Sequence, residues 1–145
     1  AKVTGDYYAL SDLNTAYHGL GWINVRFYYN FLSEKIEPVG YDPYPVLDEF
    51  KPAIGSKVAI TYLDPFETKM IMYRPLKNKD IESEYNKALH RVSDSEFVHR
   101  FMEKHLEYIE FLEKEIQKEY YMYDYDYNFI HNRAKEIRAY LKSNK

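Results

Sequence analysis

The chain has 145 residues and a formal net charge of -3, and 46% of its residues are hydrophobic. This length suits one domain, and an apolar content this high with so little net charge favours a folded core over disorder. Because the chain has no cysteine, disulfide bonds, thiolate metal sites and a cysteine nucleophile are excluded. The longest stretch without a charged residue runs from Leu13 to Val25, which is too short for a membrane span of about 20 apolar residues.

Tyrosine is the most unusual feature of the composition: 17 Tyr stand against 8 Phe and 1 Trp. Tyrosine combines a large apolar ring with a polar hydroxyl, and it is frequent at protein interfaces. An A+T-rich genome also favours tyrosine codons, so the excess alone does not decide the function.

The first part of the chain predicts two helices. One covers residues 11–18, and the second covers residues 21–35, where apolar residues recur at spacings of 3, 4 and 4 from Leu20 to Phe31. Residues 38–55 contain 4 prolines and 2 glycines. Because proline fixes φ and favours extended geometry in the residue before it, we predict an extended connector there.

A β-hairpin is predicted directly after this connector. Residues 57–63 (KVAITYL) and residues 68–74 (TKMIMYR) read as strands, and residues 64–67 read as the turn between them. Two strands alone are marginally stable in water, so the hairpin must pack on helices or gain strands from elsewhere.

The last part of the chain predicts three helices. The first covers residues 80–92 with Asn78 or Asp80 as its N-cap, and residues 93–96 fit a capping box that opens the second. The apolar positions of the second helix recur from residue 98 to residue 116 and those of the third from residue 130 to residue 141. Aromatic residues broaden the apolar face of the second helix: Phe97, Phe101, Tyr108 and Phe111.

The predicted fold class is therefore α+β and mainly helical, with N-terminal helices, a Pro-rich connector, one β-hairpin and a C-terminal antiparallel three-helix bundle. We treat residues 1–145 as one domain, in which residues 1–77 form a helix-plus-hairpin part and residues 78–145 form the bundle part. Matched helical spacing predicts a buried seam in the bundle, in which Ile109, Leu112 and Ile116 pack against Ile130, Ala134 and Ile137.

A tyrosine-rich segment, residues 120–129, joins the second and third bundle helices without glycine or proline. One helix over residues 94–142 would be about 73 Å long. A compact monomer cannot accommodate a helix of this length, so we predict a break near residues 124–128 if the chain is monomeric. In a subunit of an assembly, the continuous helix could be kept. On a helix these tyrosines point around most of the circumference, and one small domain cannot bury them all. We predict an intermolecular surface formed by Tyr120, Tyr121, Tyr123, Tyr125 and Tyr127.

Metal-binding patterns in the sequence are incomplete. Asp124, Asp126 and Asn128 match the first three ligand positions of a calcium loop, but Phe129 and Lys135 stand where that loop needs Gly and Glu. We predict no metal site at this position, and we assign Asp126 or Asn128 to helix capping.

Catalytic patterns are equally weak. Glu96 and His99 form one E-x-x-H pair, whereas a di-iron bundle needs two such pairs. The sequence has no phosphate loop, no dinucleotide-binding glycine motif and no nucleophile elbow. We therefore predict no catalytic residues and no cofactor, and the sequence favours a protein that is not an enzyme.

The last helix carries a basic stripe at spacings of 4, 3, 4 and 3, which consists of His131, Lys135, Arg138, Lys142 and Lys145. Such a stripe can contact the phosphates of a nucleic acid. It can also complement the acidic helix that precedes it, or the dipole at a helix C-terminus. The rest of the chain is net acidic, which disfavours nucleic acid as the main partner.

Two function classes remain open. The favoured hypothesis is a non-enzymatic structural or assembly subunit, for example a virion or filament coat-type viral protein, which self-associates or docks through its tyrosine-rich helical surface. The alternative is a small regulatory protein that binds nucleic acid or inhibits another protein through its basic C-terminal helix. We expect a homo-oligomer or a protein partner, no membrane span, and a soluble chain inside a cell or in a virion rather than a secreted one.

Overall fold

The described residues fold as a mainly helical α+β structure with an antiparallel β-hairpin, which is the fold class that the sequence predicts. The computed structural model describes residues 1–20, 24–41 and 73–143. In chain order these residues form helix α1 (Lys2–Leu13), a 3-10 helix (Tyr17–Leu20), strands β1 (Arg26–Asn30) and β2 (Lys35–Val39), and helices α2 (Tyr73–Leu76), α3 (Lys79–Val92), α4 (Ser95–Gln117) and α5 (Phe129–Ser143). Within these three ranges, no helix has the length and apolar character that crossing a membrane requires.

The hairpin lies where the sequence predicted a helix, so the helix expected over residues 21–35 is wrong. β1 and β2 pair antiparallel, with Arg26 opposite Val39 at one end and Asn30 opposite Lys35 at the other. β1 reads RFYYN, and consecutive aromatic residues favour a strand more than a helix. This local preference outweighs the helical spacing of the apolar residues in the same segment.

The turn of the hairpin explains why the strands form here. The side-chain oxygen of Asn30 accepts the backbone N–H groups of Leu32 at 3.0 Å and of Ser33 at 3.3 Å. Glu34 then adopts a left-handed φ of 53°. A side-chain-closed turn of this kind gives the backbone an alternative to the helical hydrogen-bond ladder.

The N-terminal helix begins earlier than predicted. α1 covers Lys2–Leu13, so the short helix predicted over residues 11–18 is correct only up to Leu13. Thr15 follows with a left-handed φ of 48°, and this conformation interrupts a right-handed helix. The next turn, Tyr17–Leu20, is a 3-10 helix.

Most of the predicted hairpin and connector lies outside the described residues. This holds for the predicted strand over 57–63, for residues 68–72 of its partner and for connector residues 42–55. Tyr73 and Arg74, the end of the second predicted strand, instead begin α2. Pro38 belongs to β2 rather than to the connector, where an edge position tolerates its missing N–H group.

The three predicted C-terminal helices are present as α3, α4 and α5. The side-chain oxygen of Asn78 caps α3 by accepting two backbone N–H groups of the first turn at 2.9 and 3.3 Å. Asp94, rather than Ser93, caps α4 by accepting two N–H groups at 3.0 and 2.9 Å. Each cap satisfies donors that have no partner within the helix.

α1 packs against α3 at the centre of the fold. Gly5 allows this close approach, because a Cβ atom at this position would lie 2.6 Å from the backbone nitrogen of Tyr85. The 3-10 helix, the first turns of α4 and the inner face of α5 complete the core. Its largest fully buried apolar side chains are Tyr85, Leu20, Leu89, Ile137 and Val98.

The predicted seam between α4 and α5 is formed on the α5 side, whereas on α4 only Ile109 of the three predicted residues is partly buried against the core. Ile130, Ala134 and Ile137 of α5 are buried as predicted. On α4, Leu112 is 40% exposed and Ile116 is 38% exposed, so their predicted burial is wrong. The inner face of α5 also packs against α1 and α3, and α4, which is about 34 Å long, extends past this core.

Candidate interaction surface

A loop separates α4, which ends at Gln117, from α5, which begins at Phe129. We name residues 118–128 the tyrosine loop. The break predicted near residues 124–128 lies inside it, but α4 ends earlier than expected, and a single helix over residues 94–142 is not formed. The loop has no glycine or proline, so side-chain contacts set its path.

Two side chains of α4 anchor the tyrosine loop. The Glu113 carboxylate accepts the backbone N–H of Tyr125 at 2.8 Å and the hydroxyl of Tyr127 at 2.7 Å. The side-chain amide of Gln117 donates to the backbone carbonyl of Tyr123 at 2.9 Å. These hydrogen bonds hold the loop against the end of α4.

The anchoring hydrogen bonds also change the acidity of the groups that make them. The backbone N–H of Tyr125, together with the Tyr127 hydroxyl, lowers the pKa of Glu113 below its usual value of 4.5. The hydrogen bond to Glu113 in turn raises the pKa of Tyr127 to about 12. At neutral pH the carboxylate is therefore ionised and the hydroxyl is protonated, which are the states that this hydrogen bond requires.

The five predicted tyrosines divide into an inward pair and an outward group. Tyr125 and Tyr127 are half-buried, and their rings meet edge to face with 5.0 Å between centroids. Tyr120, Tyr121 and Tyr123 are exposed, with Tyr121 at 83%. The inward pair orders the loop, and the outward group forms its surface.

Apolar side chains from α4 extend this surface. Met122 is 80% exposed and lies within the outward group. A shallow groove of about 160 Å³ joins Tyr123 to Leu112 and Ile116, and a second depression joins Ile116 to the loop. We name the set the apolar end surface: Leu112, Ile116, Tyr120, Tyr121, Met122 and Tyr123.

A second exposed apolar region lies further back on α4. Phe101 is 45% exposed, Tyr108 is 60% exposed and Phe111 is 54% exposed. The rings of Tyr108 and Phe111 are stacked with 6.5 Å between centroids. Sequence reasoning assigned these residues to the buried face, because helical spacing alone does not show how far a core extends along the helix.

The tip of the hairpin is a third exposed apolar region. Phe31 is 82% exposed, Leu32 is 99% exposed and Ile36 is 69% exposed. Sequence reasoning missed this region because it placed the residues on a helix. Asn30 was the residue that could have indicated a turn here, because asparagine side chains often close turns by accepting nearby backbone N–H groups.

The basic stripe is divided between a structural role and the surface. His131, Lys135 and Lys142 are exposed on α5. Arg138 is half-buried and donates a hydrogen bond to the backbone carbonyl of Ser93, the C-cap residue directly after α3. A cation at this position satisfies a carbonyl at a helix C-terminus. Lys145 lies outside the described residues.

Over residues 1–20, 24–41 and 73–143, no group of three or more His, Asp or Glu side chains is placed to hold a metal ion. Glu96 pairs with Arg100 at 3.2 Å, and His99 lies 3.3 Å from the carboxylate of Glu103. Asp126 accepts the backbone N–H of Asn128 at 2.9 Å, just before α5 begins. Asp126 therefore organises the backbone that leads into α5, and the helix-capping role of Asp126 or Asn128 stays a prediction.

No protein-family model, no curated protein and no solved structure matches this chain. The function is therefore argued from the geometry of this chain alone. Among the exposed apolar regions described above, the apolar end surface has the most definite geometry, because an anchored loop presents several large side chains together.

Proposed function

We propose that this protein is a non-enzymatic structural or assembly subunit that self-associates through the apolar end surface. The observation that carries the proposal is the row Tyr120, Tyr121 and Met122, whose side chains are 68%, 83% and 80% exposed. Large apolar side chains that lie together on a surface mark interaction sites. Tyrosine and methionine are also among the residues enriched in protein interfaces.

The anchoring of the tyrosine loop supports this proposal. Glu113 and Gln117 hold the loop through hydrogen bonds of 2.7 to 2.9 Å, two to its backbone and one to the Tyr127 hydroxyl. A loop that is already ordered loses little conformational entropy on binding, so more of the buried area contributes to affinity. Leu112 and Ile116 add a rigid helical part to the same surface.

A coat-type subunit of a virion or filament is the concrete form of this proposal. Repeated contacts between identical subunits build such assemblies, and each subunit needs complementary surfaces. The hairpin tip and the outer side of α4 offer further exposed apolar area beyond the apolar end surface. One small subunit with several such areas suits a role in assembly.

Replacing Tyr120, Tyr121 and Met122 together by serine tests the proposal. Sedimentation from low to high micromolar concentration should show association of the wild-type chain and clearly weaker association of the triple variant. The matched control is the double variant Phe31→Ser/Leu32→Ser. It removes two exposed apolar side chains at the hairpin tip and should leave association through the apolar end surface in place. Circular dichroism of each variant checks that the helices remain folded.

Two results would contradict the proposal. One is a wild-type chain that remains monomeric at high micromolar concentration. The other is association that persists unchanged in the triple variant. In the first case, docking to a different protein through the same surface becomes the remaining form of the hypothesis.

The second candidate function is regulatory binding of nucleic acid, or inhibition of another protein, by α5. The observation that favours it is the exposure of His131, Lys135 and Lys142 along one side of this helix. Adding a nucleic-acid duplex at low salt to the same sedimentation runs separates the two proposals. A duplex that co-sediments with the triple variant as well as with the wild type supports α5 as the binding element.

A further inference from the structure

The outer side of α4 carries a regular row of exposed side chains, separate from the buried positions Val98 and Met102. Around the helix axis, the row lies about a third of a turn away from Val98 and Met102. The members recur at spacings of 3, 4, 3, 4 and 3, and we name them the outer row: Phe101, Lys104, Tyr108, Phe111, Glu115 and Lys118. All six are exposed.

This spacing is the pattern by which one helix packs along another. Lys118 continues the row beyond the last hydrogen-bonded turn, because its φ of -64° and ψ of -30° are helical. In the part of the chain that the structure describes, α1, α3 and α5 pack against other faces of the bundle, and the outer row remains exposed. Among the described residues, this face is therefore open to a helix of a second copy.

The order of residues in the outer row is self-complementary. Around a midpoint between Ile109 and Glu110, Lys104 and Glu115 lie at equal distances on opposite sides. Tyr108 and Phe111 also lie at equal distances from this midpoint, and they are the members of the row nearest to it. A two-fold axis at this midpoint would therefore place each lysine opposite a glutamate and each tyrosine opposite a phenylalanine.

We infer that α4 pairs antiparallel with α4 of a second copy of this chain, along the outer row. Charge complementarity selects this partner and this direction: the antiparallel pair forms two Lys104–Glu115 contacts, whereas a parallel pair would place lysine against lysine and glutamate against glutamate. The aromatic centre supplies apolar burial and ring contacts. The inference rests on the proposed self-association and assigns one of its interfaces.

The ion pairs within one copy leave room for these contacts. Glu115 accepts a hydrogen bond from Lys118 at 2.6 Å, and both side chains are well exposed. A carboxylate has acceptor sites for more than one donor, so Glu115 can also meet a lysine of the second copy. Among the described residues, no carboxylate lies within ion-pair distance of Lys104. Its ammonium group is therefore available to the second copy.

Charge reversal tests the inference. Lys104→Glu alone and Glu115→Lys alone each turn two attractive contacts into repulsive ones, so each should weaken dimer formation about tenfold or more in sedimentation. The double variant Lys104→Glu/Glu115→Lys should restore the dimer, and so should a mixture of the two single variants. Glu103→Lys, which changes an exposed charge about a third of a turn from the outer row, serves as the control and should leave the dimer intact.

Engineered cysteines give a second readout, because the natural chain has none. A mixture of Lys104→Cys and Glu115→Cys chains should form a disulfide between copies under mild oxidation. Lys104→Cys alone should not, since the two copies of residue 104 would be about 16 Å apart along the axis, and a disulfide needs Cα atoms within about 7 Å.

The outcomes separate this inference from the proposed function. Association that keeps its full wild-type strength in both single reversals, or a disulfide that forms with Lys104→Cys alone, overturns the antiparallel pairing and leaves self-association through the apolar end surface in place. A wild-type chain that stays monomeric overturns both. Loss in each single variant with recovery in the mixture supports the pairing.

Discussion

Arg133 of α5 donates a hydrogen bond to the backbone carbonyl of Asp12 at 2.7 Å, and both residues are almost completely buried. The same guanidinium donates to the hydroxyl of Tyr17 at 2.6 Å. The Asp12 carboxylate accepts the hydroxyl of Tyr17 at 3.0 Å and that of Tyr85 at 2.5 Å. One buried polar network thus joins α1, the 3-10 helix, α3 and α5.

We expect this network to be essential for stability. Arg133→Met removes the cation but keeps much of the side-chain volume, and it leaves the buried polar groups around Asp12 and Tyr17 without their donor. Losing one partner of such a buried charged network costs about 3–5 kcal/mol. Urea unfolding measures the loss, with Lys135→Met, an exposed residue on the same helix, expected to change stability by about 0.5 kcal/mol or less. Similar midpoints for the two variants would show that the network contributes little.

The close packing of α1 on α3 gives a second prediction. Gly5→Ala would raise helix propensity by about 1 kcal/mol, but the added carbon would lie 2.6 Å from the backbone nitrogen of Tyr85. Because backbone atoms cannot rotate away, the two helices must separate, and such overpacking costs about 1–3 kcal/mol. We expect net destabilisation in urea unfolding. Gly40→Ala is the control, since nothing lies within 4 Å of the carbon added there, and a Gly5→Ala variant as stable as this control would contradict the prediction.

The sequence allowed the three C-terminal helices to be predicted, because their apolar spacing and the Asn78 cap act locally. It did not allow the hairpin at β1 and β2 to be predicted, since helical spacing of apolar residues and a turn signal at Asn30 compete in one segment. Only the tertiary environment shows that the turn prevails. The outward tyrosines were predicted as a surface, but the anchoring role of Glu113 depends on where the loop folds back, which no local pattern contains.

The incomplete seam between α4 and α5 gives a third prediction. Ile137 is 1% exposed and Leu112 is 40% exposed. Ile137→Ala should therefore cost about 2–5 kcal/mol, whereas Leu112→Ala should cost less than about 1 kcal/mol in urea unfolding of the monomer. Leu112→Ala should instead weaken self-association, because this side chain belongs to the apolar end surface. A Leu112→Ala variant as unstable as Ile137→Ala would place Leu112 in the core after all.

The anchoring of the tyrosine loop should depend on pH in a defined direction. Hydrogen bonds from Tyr125 and Tyr127 lower the pKa of Glu113 below 4.5. A lowered folded-state pKa contributes stability that is fully present above the unfolded value and is lost as pH falls through the folded value. The backbone amide signal of Tyr125 in NMR should therefore shift as pH falls through the lowered pKa of Glu113, with a midpoint below 4.5.

Two variants check this assignment. Glu113→Gln should abolish the acid-dependent shift of the Tyr125 amide. It should also bring the pKa of Tyr127 down from about 12 toward its usual value of 10.0 in a spectrophotometric titration. Tyr127→Phe removes one of the two donors and should raise the midpoint of the Tyr125 shift toward 4.5 without removing it. A Tyr125 shift that is unchanged in Glu113→Gln would mean that another group anchors the loop.

The basic stripe gives the last prediction, because the structure divides its residues between two roles. If α5 binds phosphates, Lys135→Gln with Lys142→Gln should flatten the salt dependence of duplex binding by about one unit of slope per lost contact. Arg138→Gln should act differently: it removes a charged donor from the Ser93 carbonyl, and a hydrogen bond to a charged group contributes about 1.5–3 kcal/mol. We expect that variant to lower the urea midpoint, whereas the double lysine variant leaves the midpoint unchanged. Filter binding at low salt tests whether α5 binds nucleic acid. If the wild-type chain retains no duplex on the filter, the nucleic-acid hypothesis is wrong and Arg138 keeps only its structural role.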